Sequence, residues 1–170
     1  MKNTTKIFAL TIAMIAISIS TFAQVSATAT TSATVITPIA ITKTVDMNFG
    51  SIAVSPTIAG TVVLAPAGTR TKTGGVTLPA VTGTVTAASF NVTGLGTSTY
   101  SISLPSTITL AGTPSGSMTV GTFLSTPSGT GTLTAGAQTV LVGGTLNVGA
   151  GQPAGTYTNS ADMTVTVNYN

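Results

Sequence analysis

The chain has 170 residues, of which 4% are charged; five are Lys or Arg, two are Asp or Glu, and His, Cys and Trp are missing. That inventory excludes a Ser-His-Asp triad, a cysteine nucleophile, a Cys/His zinc site and a disulfide framework, because each needs side chains the chain lacks. A formal net charge of +3 does not make a nucleic-acid binder, since so few cations form no basic face.

The N-terminus reads as an export signal. Lys2 and Lys6 supply a positive start, Ile7 to Ile17 is an apolar run, and Thr21 and Ala23 suit the −3 and −1 positions of a peptidase site. The apolar run is too short for a spanning helix. Residues 1–23 are therefore expected to be removed, with the mature chain starting at Gln24 and exported to the periplasm, cell surface or exterior. Two of the five cations leave with the signal; Lys43, Asp46, Arg70, Lys72 and Asp162 remain. Residues 24–170 suffice for a single domain with its own core. Apolar residues make up 42% of the chain and alternate with polar ones, which argues against a disordered linker.

From Gln24 onward the pattern is that of strands, with no apolar spacing of three and four residues. Val25, Ala27, Ala29, Ala33, Val35, Ile39 and Ile41 fall on one face of an alternating ribbon, opposite Ser26, Thr28, Thr30, Ser32 and Thr34. Pro38 interrupts the ribbon or places it at a sheet edge, so residues 24–45 are expected to be a donor or edge strand. Met47 and Phe49 share a face in the next segment, with Gly50 as a bulge or turn. Thr61 to Leu64 is a short strand closed by Pro66, and Arg70 to Leu78 alternates around Gly74-Gly75. Ala88–Val92 and Ser98–Leu104 flank Gly94-Leu95-Gly96, which predicts a hairpin. Thr107–Leu110 and Met118–Leu124 are two further strands. Thr139–Val142 and Thr145–Val148 flank Gly143-Gly144, a second predicted hairpin. Tyr157 to Tyr169 alternates as a half-buried strand to the C-terminus.

Little in this chain can do chemistry. Asp46 and Asp162 are the only carboxylate side chains and read as solvated strand-face or turn residues, although a carboxylate pair is the one acid/base arrangement they allow. Calcium wants several carboxylates. Gly149 to Gly155 is glycine-dense without the G-x-G-x-x-G spacing of a phosphate cradle, and no helix follows. Arg70 and Lys72 allow an anion contact, but read better as a solvated edge that discourages sheet-to-sheet association. Gly155 and Tyr157 read as structural, in the manner of a tyrosine corner whose hydroxyl ties back to nearby backbone. No catalytic, cofactor-binding or metal-binding residue is assigned, and no cofactor is expected.

Several motifs recur in the order seen in one secreted bacterial group: Asp46-Met-Asn-Phe-Gly50, Gly60-Thr-Val-Val-Leu64, Gly74-Gly-Val76, Phe90-Asn-Val-Thr-Gly94, Val142-Gly-Gly-Thr-Leu146, and Gly155-Thr-Tyr157 through Val165-Thr-Val-Asn-Tyr169. On these the chain is identified as a member of domain-of-unknown-function family 4402, over essentially all of the mature chain. Its Ala-Gly-Thr-Tyr motif and last strand also resemble, more loosely, spore-coat-U and archaic chaperone–usher pilin domains. That resemblance implies an immunoglobulin-like sandwich lacking its last strand, with the gap filled by a neighbour's N-terminal extension. A C-terminal strand running to Asn170 and the ribbon from Gln24 to Val35 would suit that design. The disulfide many such pilins carry is missing.

The expectation is an all-β, immunoglobulin-like antiparallel β-sandwich. It would act as a non-enzymatic secreted structural or cell-surface subunit, pilin-like or coat-like. Its strand-donation face would be Val25, Ala27, Ala29, Ala33 and Val35. Its partners would be itself, by strand addition, or an export chaperone, with no nucleic acid and no small-molecule substrate evident. Two alternatives stand beside it. One is a small outer-membrane β-barrel, which the few aromatics and short strands disfavour. The other is a Thr-rich ligand- or ice-binding domain built on Thr28/Thr30, Thr69/Thr71/Thr73, Thr82/Thr84/Thr86 and Thr164/Thr166, whose irregular spacing counts against it.

Overall fold

A computed structural model describes residues 24–159 and 163–170. The expected export signal and Asp162 lie outside the described residues. The chain divides into two units at Val35/Ile36, and the fold that follows is that of Ile36–Asn170.

This unit is built from strands β1 (Ala40–Val45), β2 (Ala53–Val54), β3 (Gly60–Leu64), β4 (Arg70–Gly74), β5 (Val76–Thr77), β6 (Ala88–Thr93) and β7 (Thr99–Ser103), followed by β8 (Thr107–Thr113), β9 (Ser117–Thr126), β10 (Thr130–Thr132), β11 (Ala137–Val148), β12 (Thr156–Thr158) and β13 (Thr166–Tyr169). The eight-stranded sheet has the order β1-β6-β11-β9-β8-β12, with β3 also on β11 and β4 on β3. A three-stranded sheet has the order β10-β7-β13, and β2-β5 form a small pair. Every strand pairing is antiparallel.

Alternation decides which residues face inward. Ala88, Phe90 and Val92 of β6 and Val140 and Val142 of β11 bury one face of the large sheet. They pack on Tyr100 and Ile102 of β7 and on Val165 and Val167 from the small sheet's side. A second apolar cluster lies under the other half of the large sheet, from Val62, Leu64, Ile108, Met118, Val120, Leu146 and Val148, with Phe49 and Val76 packed against them. The chain is thus an antiparallel all-β sandwich, the architecture the alternating pattern predicts.

The connections differ from the sequence reading in three places. Gly143-Gly144 does not turn a hairpin; β11 continues through it, with a register shift against β9 between Gly143 and Thr145. Along one edge its first half pairs with β6 and its second half with β3, and the change of partner falls at Gly143. A Cβ on Gly143 would stand 2.1 Å from the Leu64 carbonyl oxygen, and one on Gly144 would stand 3.0 Å from the Phe123 ring. Glycine here permits close approach of another backbone.

Gly94-Leu95-Gly96 does turn the chain, but β6 and β7 lie in different sheets, so the turn is an arch across the sandwich. Likewise Tyr157 to Tyr169 is not one strand. β12 pairs with β8 in the large sheet and β13 with β7 in the small one. Alternation gives the facing of side chains but not the identity of the neighbouring strand.

The expected strand around Met47 and Phe49 reduces to a single bridge between Asn48 and Thr86. Gly50 takes φ +68° there, and the Asn48 side-chain oxygen accepts from its N–H at 2.8 Å.

Tyr100 is fully buried and donates its hydroxyl to Gln138 Oε1 at 2.7 Å; the same oxygen accepts the Thr132 N–H at 3.0 Å. Burial pushes the hydroxyl's pKa above its ordinary 10.0. The folded state then holds this proton more tightly than the unfolded chain does. Stability should be indifferent to the group below pH 10.0 and fall as pH rises beyond it. Thermal melts of the wild type against Tyr100→Phe will show this as a steeper alkaline loss in the wild type. At neutral pH the substitution should cost about 1 kcal/mol through the lost hydrogen bond.

Gly143→Ala should lower the unfolding free energy by about 1–3 kcal/mol, because the new methyl meets backbone rather than a mobile side chain. Urea denaturation measures it, and an unchanged midpoint would contradict the close crossing of β11 and β3.

Candidate functional site: an apolar cleft

A cleft of about 1020 Å³ lies on the second half of the large sheet. Phe90 of β6, Ile108 and Leu110 of β8, Met118 and Val120 of β9 and Leu146 of β11 form its floor. One wall is the chain from Val45 to Val54 and the other is Gln152 to Asn159 with Met163. These inward-facing residues meet because the small sheet covers β6 and the first half of β11, not β8 and β9. β12 pairs only with Ala111–Thr113 of β8. The edge of Thr107–Leu110 away from β9 therefore has no strand partner among the described residues.

Polar side chains hold each wall. Arg70 of β4 donates to the carbonyl oxygens of Phe49 and Ser51, the latter at 3.0 Å. It is not a solvated edge cation as the sequence reading had it, whereas Lys72 is exposed. A guanidinium satisfies two carbonyls of an irregular segment that has no sheet ladder to satisfy them.

On the opposite wall the Tyr157 hydroxyl donates to the Pro153 carbonyl at 2.7 Å and accepts from Gln152 Nε2 at 3.0 Å. A Cβ on Gly155 would stand 2.3 Å from the Thr113 carbonyl oxygen, so this glycine lets the loop lie against β8. Tyr169 makes a third such tie, accepting from the Leu95 N–H at 2.7 Å and donating to the Thr37 carbonyl at 2.8 Å.

Val25, Ala27, Ala29, Ala33 and Val35 lie in no strand, and all are exposed, Val25 at 93% and Val35 at 97%. Strand structure begins at Ala40, where β1 forms one end of the large sheet's strand order. Ala, Ser and Thr give the segment the alternation of a strand but little apolar area for burial. Asp46 is exposed and pairs with Lys43, an ion pair of little energetic weight at such exposure. Among the described residues no three His, Cys, Asp or Glu come together.

The Thr-x-Thr runs do not meet on one surface. Thr71 and Thr73 are on β4, Thr82 and Thr84 lie outside strands, and Thr166 is on β13 in the other sheet. The register instead aligns Thr73, Thr61, Asn147, Thr119 and Thr109 across five strands. Within this row Thr61 and Thr73 share a hydrogen bond of 2.7 Å, and Asn147 Nδ2 donates to Thr119 Oγ1 at 3.3 Å. Sequence spacing could not reveal the row, because it exists only through strand register.

A sandwich with an apolar cleft and no assembled set of titratable groups among its described residues is the class of protein this geometry defines. The family model described as "Domain of unknown function (DUF4402)" matches residues 39–169, and the chain belongs to that family. No curated protein and no solved structure matches the chain.

Arg70→Ala should destabilise the protein by about 1–3 kcal/mol, since the Phe49 and Ser51 carbonyls lose their partner. Lys72→Ala on the same strand should stay within about 0.5 kcal/mol of the wild type. Equal midpoints for the two variants in urea would remove Arg70 from this role.

Proposed function

We propose that the protein is a non-enzymatic, exported structural subunit of the cell surface or its surroundings, which joins other copies by strand addition. The cleft is the observation that carries this reading. Its floor is apolar; among the described residues one edge of β8 beside it lacks a strand partner, its Thr109 carbonyl accepting instead from the Asn159 side chain at 2.6 Å, and residues 25–35 have the alternation of a strand but no strand pairing. An extended segment entering such a cleft gains main-chain hydrogen bonds from an open edge and places alternate side chains on the floor. Val25, Ala27, Ala29, Ala33 and Val35 would be the inserted face. The absence of ordinary titratable machinery, with no His or Cys in the chain, supports a structural rather than a catalytic role. An export chaperone is the other partner this cleft would suit before assembly.

Light scattering on the chain from Gln24 and on a shortened chain from Ile36 tests the proposal. The longer chain should associate and the shorter one should remain a folded monomer, because β1 and the Tyr169–Thr37 tie are retained in it. Equal monomeric behaviour of both chains would reject self-assembly through this segment.

A further inference from the structure

The chain has five methionines. Met1 and Met14 fall in the expected export signal. The other three, Met47, Met118 and Met163, all line the cleft. They come from three separate parts of the chain: the wall after β1, strand β9 in the floor, and the opposite wall before β13. Their burial differs. Met118 is 6% exposed, whereas Met47 and Met163 are only half-buried, each packed by part of its side chain against the two apolar clusters while lining the cleft. An unbranched thioether fills an irregular apolar surface well and adapts to what is laid against it. It is also the most readily oxidised apolar side chain, and the chain holds no cysteine that would consume an oxidant first.

We infer that Met47 and Met163 are peroxide-sensitive modification sites, whose conversion to sulfoxides closes the cleft to an apolar strand. This rests on the strand-addition reading for its consequence, though not for the chemistry. In the step, the thioether sulfur gives two electrons to hydrogen peroxide and takes one of its oxygen atoms. The O–O bond breaks and the second oxygen leaves as water. The product is polar and chiral where the thioether had been apolar, so an incoming Ala or Val face meets a sulfoxide dipole that must be desolvated. A thiol-dependent sulfoxide reductase reverses the change, which makes it a switch. Met118, packed into the floor, is shielded.

The experiment treats the chain from Gln24 with dilute hydrogen peroxide and maps the added oxygen by peptide mass spectrometry. Self-association is followed by light scattering and folding by thermal melting. Met47 and Met163 should take up oxygen well before Met118, and association should weaken roughly tenfold or more while the melting transition persists. Sulfoxide reductase should restore it. The Met47→Leu/Met163→Leu chain, compared with its own untreated sample so that any altered starting affinity drops out, should show no such weakening.

Oxidation of Met118 at the same rate as the other two would overturn the site assignment, and so would equal peroxide sensitivity of the leucine chain. Oxidation at Met47 and Met163 with unchanged association would overturn the switch and leave strand addition standing. If the untreated chain never associates, strand addition falls and the switch falls with it; the mass map then decides the modification sites alone.

Discussion

At the middle of β11 a Cβ on Gly143 would stand 2.1 Å from the Leu64 carbonyl oxygen, so two backbones pass where most sequences would put a side chain. This contact lets one strand carry β6 and β3 in succession on the same edge while β9 occupies the other. The two apolar clusters lie under these two halves of β11: Val140 and Val142 belong to one, Leu146 and Val148 to the other. The small sheet covers the first cluster and leaves part of the second beneath the cleft. The candidate site is therefore a consequence of how one strand is shared between two halves of a sheet.

With little charge and no disulfide, the chain fixes its irregular segments by aiming single polar groups at backbone carbonyls. Arg70 holds the Phe49–Ser51 wall, Tyr157 holds the Pro153 wall, and Tyr169 ties Thr37 to the arch at Leu95. Each bond satisfies backbone groups that no sheet ladder reaches, and such groups are costly when buried unpaired. Among the described residues no buried side-chain nitrogen or oxygen lacks a partner. Specific bonds thus fix each cleft wall, Arg70 on one side and Tyr157 on the other.

Strand addition, as proposed, rests on two surfaces of different chemistry, the cleft and the segment 25–35. One is concave, with an apolar floor, polar residues along its walls, and methionine on both walls and in the floor. The other is strand-like in sequence pattern, small-sided and without strand partners among the described residues. Small Ala side chains gain little by packing on their own chain, but three of them between Val25 and Val35 would cover a floor already walled on two sides. Methionine at the walls suits an occupant whose fit is approximate, and exposes the same surface to oxidants.

The sequence by itself determined the all-β class, the family, the approximate positions of β3, β6, β8 and β9, and the poverty of titratable groups. Each follows from period-two alternation, residue inventory or ordered motifs, which are local properties of the chain. It misread Gly143-Gly144 as a turn, because a glycine pair signals equally well a bend or a close crossing, and only the presence of Leu64 separates the two. It joined Tyr157 to Tyr169 into one strand, since alternation continues across a change of sheet. The partner of Arg70, the row from Thr73 to Thr109 and the meeting of Met47, Met118 and Met163 were decided by tertiary structure alone. Those features join residues far apart in sequence, and no local pattern encodes which strands become neighbours.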